Sequence, residues 1–405
     1  MDTRNPQGRP IAGRTENSLG FFMYNWKQQR DKQAFLALAD GAVYPAWSFG
    51  APVDRLGEVV FNTGTPGYEE IATDPSYAGQ IVTFTAPEIG NTGFNAPDFE
   101  SARIQAEGLI IHHYTEPSNW RSERSLAAAL VQAGVPGLAG IDTRALTIRL
   151  RNKGTLKGYL CATGAVSAEE GVKRAREWEG LDGQDYAFKV STRESYVFDP
   201  DDKMSASWGI ADEPLPEAEI PIVAYDFGIK FNILRRLRQQ GMRVTVVPAK
   251  TPASEVLALQ PAGVFLSNGP ADPAALSYAI ENIRALIGKV PMMGICLGHQ
   301  LLGWAFGGRT CRLKFGHHGC NHPVKELASG KVEITSQNHN FMVDMASLDK
   351  SLVEITHINL NDNTVEGMRH RREPVFSVQY HPEAAPGPHD SRYLFSQFKK
   401  LILSA

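Results

Sequence analysis

Gly294-Ile295-Cys296-Leu297-Gly298-His299-Gln300 is the stretch that decides the fold of the C-terminal half of this 405-residue chain. An apolar run from Val290 to Ile295 leads into it, and Leu301, Leu302, Ala305 and Phe306 lead out with helical spacing. The pattern predicts a strand, a sharp turn and a helix, with cysteine at the position where a nucleophile is exposed. A glycine two residues to either side removes Cβ atoms that would clash in so tight a turn, and suits torsions that other residues avoid. Cys296 is then expected at a helix N-terminus, where unpaired N–H groups and the helix dipole favour thiolate over thiol. A lone cysteine is usually a small buried hydrophobe. Both glycines and the strand–helix context favour the nucleophile reading here.

The chain is too long for one ordinary core and implies two domains. Hydrophobic content of 42% and charged content of 21% describe a soluble globular protein, and a net charge of −3 gives no reason to expect a nucleic-acid or membrane-surface partner. No apolar run approaches the ~20 residues that span a bilayer. The four cysteines do not make a secreted disulfide framework in a chain of this length, so a reducing, cytoplasmic setting is expected. Residues 1–33 lack an apolar signal core and read as a disordered N-terminal extension, with an aromatic group at Phe21, Phe22, Tyr24 and Trp26.

Residues 34–194 open with strand patterns (34–38, 42–47, 57–62, 80–85) and continue with helical ones (125–132, 143–151, 167–178), which predicts a mixed α/β domain. Ser167 and Glu170 have capping-box spacing. Residues 195–219, with Asp199, Asp201, Asp202, Asp212 and Glu213 among Pro200, Pro214 and Pro216, read as an acidic linker. From 220 to 405, four strand–helix units in series predict a doubly wound, largely parallel sheet. Sites in such sheets lie at the carboxyl ends of strands, where Cys296 falls. Residues 309–380 are more β-like, and 391–403 close the domain as a helix.

A thiol nucleophile needs a base and a group to orient that base. Among eleven histidines, His381 in Val378-Gln379-Tyr380-His381-Pro382-Glu383 follows an apolar strand and so shares the strand-end location. Glu383 is near enough to fix its tautomer. Leu266-Ser267-Asn268-Gly269-Pro270 ends another buried strand, where the Gly269 N–H could join that of Leu297 against a tetrahedral oxyanion.

Together these segments resemble the class I (triad-type) glutamine amidotransferase domain. Asp226-Phe227-Gly228-Ile229-Lys230, Phe315-Gly316-His317-His318-Gly319, Gln337-Asn338-His339 and, in the first half, Thr73-Asp74-Pro75-Ser76-Tyr77 and Ile141-Asp142-Thr143-Arg144 resemble the small, glutamine-hydrolysing chains of carbamoyl-phosphate synthase. The resemblance covers about residues 34–403. It implies Cys296 as nucleophile, His381 as acid/base and Glu383 as its orienter. Glutamine-binding positions would be Gly64, Gly269, Ala271, Leu297, Gln300, Asn338, Asn340 and Phe341. Three of these depart from the family pattern. Ala271 and Asn340 replace glycines, so a left-handed backbone at Ala271 would cost about 1 kcal/mol, while asparagine tolerates one at 340. Gly64 replaces a serine of some members.

The chain has no Gly-x-x-x-x-Gly-Lys-Ser/Thr phosphate loop. No cofactor is expected in it, and the resemblance implies a large partner chain that carries ATP and Mg and makes carbamoyl phosphate for pyrimidine and arginine synthesis. Cys311, His317, His318, Cys320 and His322 cluster without any common paired-ligand spacing, so no metal is expected. The rival readings are a catalytically silent scaffold that activates the large chain, which the presence of Cys296, His381 and Glu383 opposes, and the glutaminase subunit of another amidotransferase, which the N-terminal half opposes.

Overall fold

A computed structural model describes residues 34–206 and 214–405. The extension 1–33, with its aromatic group, and residues 207–213 of the expected linker lie outside them.

The first half closes on itself. Seven strands form a barrel in the order Ala34–Leu38, Val43–Ser48, Gly137–Ala139, Gly108–Ile110, Gln80–Phe84, Arg55–Asn62 and Leu156–Cys161. Leu36, Leu38, Val59, Ile81, Ile110, Leu138 and Leu160 pack together from its strands as one buried cluster. Successive residues alternate across each strand. Thus Val60, Val82 and Leu109 join a second cluster with the helices Tyr68–Thr73 and Leu126–Ala133. Closure leaves no free sheet edge. It was not legible in the sequence, because it depends on parallel pairings through the three-residue strands 108–110 and 137–139.

The second half is a ten-stranded sheet. Its parallel centre runs Met242–Pro248, Ile220–Asp226, Gly263–Leu266, Met292–Ile295 and Val375–Val378. Four antiparallel strands extend it beyond Val375–Val378, drawn from the stretch read as β-like. Both faces are covered, as expected. Ile222 and Ala224 pack with Ile233, Leu234 and Phe398 on one face, while Val223 and Tyr225 pack with Val256, Ile280 and Leu301 on the other. The strand order reverses between Ile220–Asp226 and Gly263–Leu266, which opens a crevice at their carboxyl ends.

Part of the expected linker belongs to this sheet. Tyr196 and Val197 pair antiparallel with Val246 and Thr245 as its edge, and Lys203–Ala206 is a helix. Asp199 accepts from the Met204 and Ser205 N–H groups at 3.0 and 2.7 Å, so one acidic residue of the stretch caps that helix.

The capping box at Ser167 is half formed. Ser167 Oγ accepts from the Glu170 N–H at 3.3 Å, but Glu170 turns instead to Arg174 Nε at 2.8 Å. Ser167→Ala should therefore lower stability by about 1 kcal/mol, read as a shift in urea midpoint. An unchanged midpoint would show that the Ala168–Glu177 helix is held by packing alone.

Candidate functional site

The elbow forms as read, but its strain is distributed differently. Cys296 itself adopts φ 53°, ψ −104°, whereas Gly294 and Gly298 have ordinary negative φ. The glycines serve close approach. A Cβ on Gly298 would lie 2.2 Å from the Leu266 carbonyl oxygen, and one on Gly294 would lie 2.8 Å from the Gly298 carbonyl carbon. The Cys296 N–H donates to Val378 O at 3.0 Å and the Gly298 N–H to Ser267 O at 3.0 Å. The Leu297 N–H, between them at the start of the helix Leu297–Ala305, meets no acceptor among the described residues, and neither does that of Gly269.

His381 follows Val375–Val378, the strand beside Met292–Ile295, so register brings both side chains to one end of the sheet. His381 Nδ1 is 2.6 Å from Glu383 Oε1. Its Nε2 is buried and makes no hydrogen bond. The Cys296 thiol lies 3.5 Å from the Asn338 carbonyl oxygen. All three side chains are buried. Burial opposes the imidazolium, but the charges on Glu383 and Cys296 outweigh it and hold His381 well above its ordinary range. Burial likewise opposes the Glu383 carboxylate, yet Lys230 and His381 hold it down to about 2. A thiol, a base and a carboxylate so arranged can carry out nucleophilic acyl transfer.

A pocket opens beside Cys296, lined by Gly269, Ala271, Gln300, Asn338, Asn340 and Phe341 among others. These six expected binding positions therefore come together. Leu297 is buried and does not line it. Gly64 does not line it; its N–H donates to Asn62 Oδ1 at 2.7 Å. The concern over the two replaced glycines falls away, because neither Ala271 nor Asn340 has positive φ. Asn340 lies in the strand Val332–Val343, with its amide donating to Glu58 at 3.0 Å and its oxygen 3.0 Å from His318 Nε2. The Asn338 amide donates to Asp74 at 3.0 Å. Gln300 donates to Phe341 O at 2.8 Å and to Gln379 at 3.1 Å.

Sequence reasoning missed one wall. Ser76, Gln80, Leu181 and Tyr186 line the pocket from the first half. Ser76 Oγ accepts from Asn268 Nδ2 at 2.9 Å, which joins the family-like segments 73–77 and 267–270. It also missed Lys230, whose ammonium donates to Glu383 Oε1 at 3.0 Å and to Ala384 O at 2.7 Å. A lysine directly before an amphipathic helix reads as a solvated residue, and nothing local marks it as buried.

The histidine-rich segment sorts itself differently from its sequence spacing. His317, His339 and Glu366 offer atoms within 4.8 Å of one another, without Cys311 or Cys320. His339 has both ring nitrogens at hydrogen-bond distance from protein acceptors, Phe341 O at 2.7 Å and Gln337 Oε1 at 2.8 Å. His317 lies between Asp362, at 2.8 Å, and Glu366, at 3.7 Å. Burial opposes its charge, but the two carboxylates raise its pKa to about 9. One imidazolium thus faces two carboxylates within the cluster.

Two outcomes follow from this geometry. Gly298→Ala should destabilise the protein by about 3 kcal/mol or more, because the clash is with backbone that cannot repack; a wild-type melting curve would contradict it. The His317 pKa is raised above its unfolded value of ~6.5. Its contribution is therefore complete below that pH and is lost as pH rises through about 9. His317→Asn should cost up to about 3 kcal/mol at pH 6 and much less at pH 10, and equal losses in urea melts at both pH values would refute the assignment.

Comparison with known proteins agrees with this anatomy. The family model for the carbamoyl-phosphate synthase small chain CPSase domain matches residues 36–160, and that for class-I glutamine amidotransferase matches residues 223–401. The carbamoyl phosphate synthase small chain of Akkermansia muciniphila is 52% identical over 374 residues, which is 92% of this chain and 98% of that one. The protein of the same name from Syntrophotalea carbinolica is 51% identical, over 91% of this chain and 98% of its own. The chloroplastic small chain of Arabidopsis thaliana is 48% identical, over 91% and 85%. With both domains in order and half its residues shared along nearly its whole length, the chain belongs to the carbamoyl phosphate synthase small chain family.

Proposed function

We propose that this chain hydrolyses the side-chain amide of glutamine and passes the ammonia to a separate large chain that uses ATP and Mg to make carbamoyl phosphate. The observation that carries this is Cys296, held at φ 53° on the elbow in a pocket shared by both halves, with His381 fixed by Glu383. No helix among the described residues is long and apolar enough to cross a membrane, and all four cysteines are free. The free cysteines support work in a reducing compartment such as the cytoplasm.

In this reading the Cys296 sulfur attacks the amide carbon and the carbonyl π electrons move to oxygen. The Leu297 and Gly269 N–H groups, which have no protein acceptor, are available to that oxyanion. His381 delivers a proton to the nitrogen, the C–N bond breaks and ammonia leaves, so Cys296 is a γ-glutamyl thioester. His381, now neutral, takes a proton from water as the water attacks the thioester. Sulfur leaves as thiolate and glutamate is released. Glu383 keeps the imidazole in the tautomer whose Nε2 faces the reaction. None of these steps consumes ATP, and that part of the synthesis is assigned to the large chain, for pyrimidine and arginine formation.

The test uses the complex of both chains. Cys296→Ser should abolish carbamoyl phosphate formation from glutamine, since serine is not ionised near neutral pH, and leave formation from ammonium salts intact. Loss of both activities in an intact complex would mean that Cys296 does more than release ammonia.

A further inference from the structure

Helix Phe231–Gln239 has no side-chain cap of its own; the residue before it, Lys230, offers no acceptor. Its first N–H groups are met from the other half of the molecule, by Glu100. The Glu100 carbonyl accepts from the Phe231 N–H at 2.8 Å, and the Glu100 carboxylate accepts from the Asn232 N–H at 3.1 Å. The same carboxylate lies 3.9 Å from Lys230 Nζ and 3.6 Å from Arg235 Nη1. Glu100 is fully buried, and its own N–H donates to Thr73 Oγ1 at 2.9 Å, which anchors it to the end of the helix Tyr68–Thr73.

The residues that Glu100 fixes are those that hold Glu383. Lys230 binds its carboxylate at 3.0 Å, and Asn232 Nδ2 donates to its backbone carbonyl at 2.6 Å. Side chain and main chain of Glu383 are thus both gripped by one helix start. That helix start is set by Glu100, 131 positions before Phe231 and in the barrel half. Glu100 does not line the pocket beside Cys296.

From this chain of contacts we infer that Glu100 is a positioning residue for the glutamine hydrolysis proposed above: it places Lys230 and Asn232, and through them Glu383 and the His381 imidazole. It touches neither glutamine nor the reacting atoms. Its effect falls on the chemical step and not on substrate binding, because a displacement of about 1 Å in a supporting group lowers the rate of that step by up to about 100-fold.

The experiment measures steady-state glutamine hydrolysis by the complete two-chain complex. Glu100→Ala removes the carboxylate that caps Asn232 and faces Lys230. It should lower kcat by about tenfold to a hundredfold with KM for glutamine within about twofold, while ammonium-dependent synthesis on the large chain is unchanged. Lys230→Met should lower kcat as well, and adding Glu100→Ala to it should cost a smaller factor than Glu100→Ala costs alone, since residues acting partly through one another are not additive. Full additivity, a wild-type kcat, or a rise in KM at constant kcat would each overturn the proposal. If Glu100→Ala does not fold, Thr73→Val removes only the hydroxyl that anchors the Glu100 N–H. It must then show the same split at smaller size, and an unchanged kcat would overturn the proposal equally. Absence of glutamine hydrolysis by the wild-type complex would instead refute the glutaminase reading itself.

Discussion

The site depends first on how closely one helix can approach one strand. The start of Leu297–Ala305 rests on the end of Gly263–Leu266, with the Gly298 Cα against the Leu266 carbonyl; a methyl group there would sit 2.2 Å from its oxygen. That proximity lets the Gly298 N–H reach Ser267 O, while the adjacent Leu297 N–H has no acceptor among the described residues. It also forces the preceding residue into an unfavourable conformation. Cys296 at φ 53° carries a cost of about 1–3 kcal/mol, which the buried sheet on either side must offset. The unusual torsion lies on the residue proposed as nucleophile, and the glycines around it supply space.

Buried amides impose the next constraint. Asn268, Asn338 and Asn340 are all buried beside the pocket, and an unsatisfied buried amide costs about 1–3 kcal/mol. Each finds an acceptor in the barrel half: Ser76 for Asn268, Asp74 for Asn338 and Glu58 for Asn340. Ion pairing of Arg312, in the neighbouring strand Thr310–Glu326, with both Glu58 and Asp182 adds a further tie to the first half. The pocket is therefore a property of the docked halves. The amidotransferase half alone would leave three amides without acceptors.

The elbow, the parallel sheet and His381 were legible because each is encoded locally. An apolar run followed by a glycine-flanked cysteine specifies strand, turn and helix within about fifteen residues, and His381 is one strand away by register. The barrel was not legible, since its closure rests on strands of three residues that carry no period. Lys230 and Glu100 were missed for a related reason. Lysine and glutamate read as solvated wherever they occur, and only the docking of two halves removes both from water. The left-handed backbone anticipated at Ala271 and Asn340 was an inference from residue type in relatives, and these positions instead adopt ordinary extended or turn geometry.

What remains is why so polar a centre is buried at all. From Cys296 through His381, Glu383, Lys230 and Glu100 to Arg235, acidic and basic groups alternate. An isolated ion in such a place loses several kcal/mol of hydration, and an apolar replacement of the whole row would often be the more stable choice. Alternation keeps the row tolerable, but only as a set: removing one member leaves its neighbour buried and uncompensated, at about 3–5 kcal/mol. Compensation is uneven. Glu383, 3.0 Å from Lys230, stays ionised down to about 2. Glu100, with cations no nearer than 3.6 Å, is pushed by burial up to about 8. The end of the row in the barrel half is thus the less firmly charged. Its hold on the helix start relies as much on the uncharged carbonyl contact with Phe231 as on the ion pairs. A protein selected for stability alone has no use for this arrangement. One that must keep an imidazolium poised against a thiol, away from water, needs a carboxylate behind it, a cation behind that carboxylate, and a second domain to hold the cation in place.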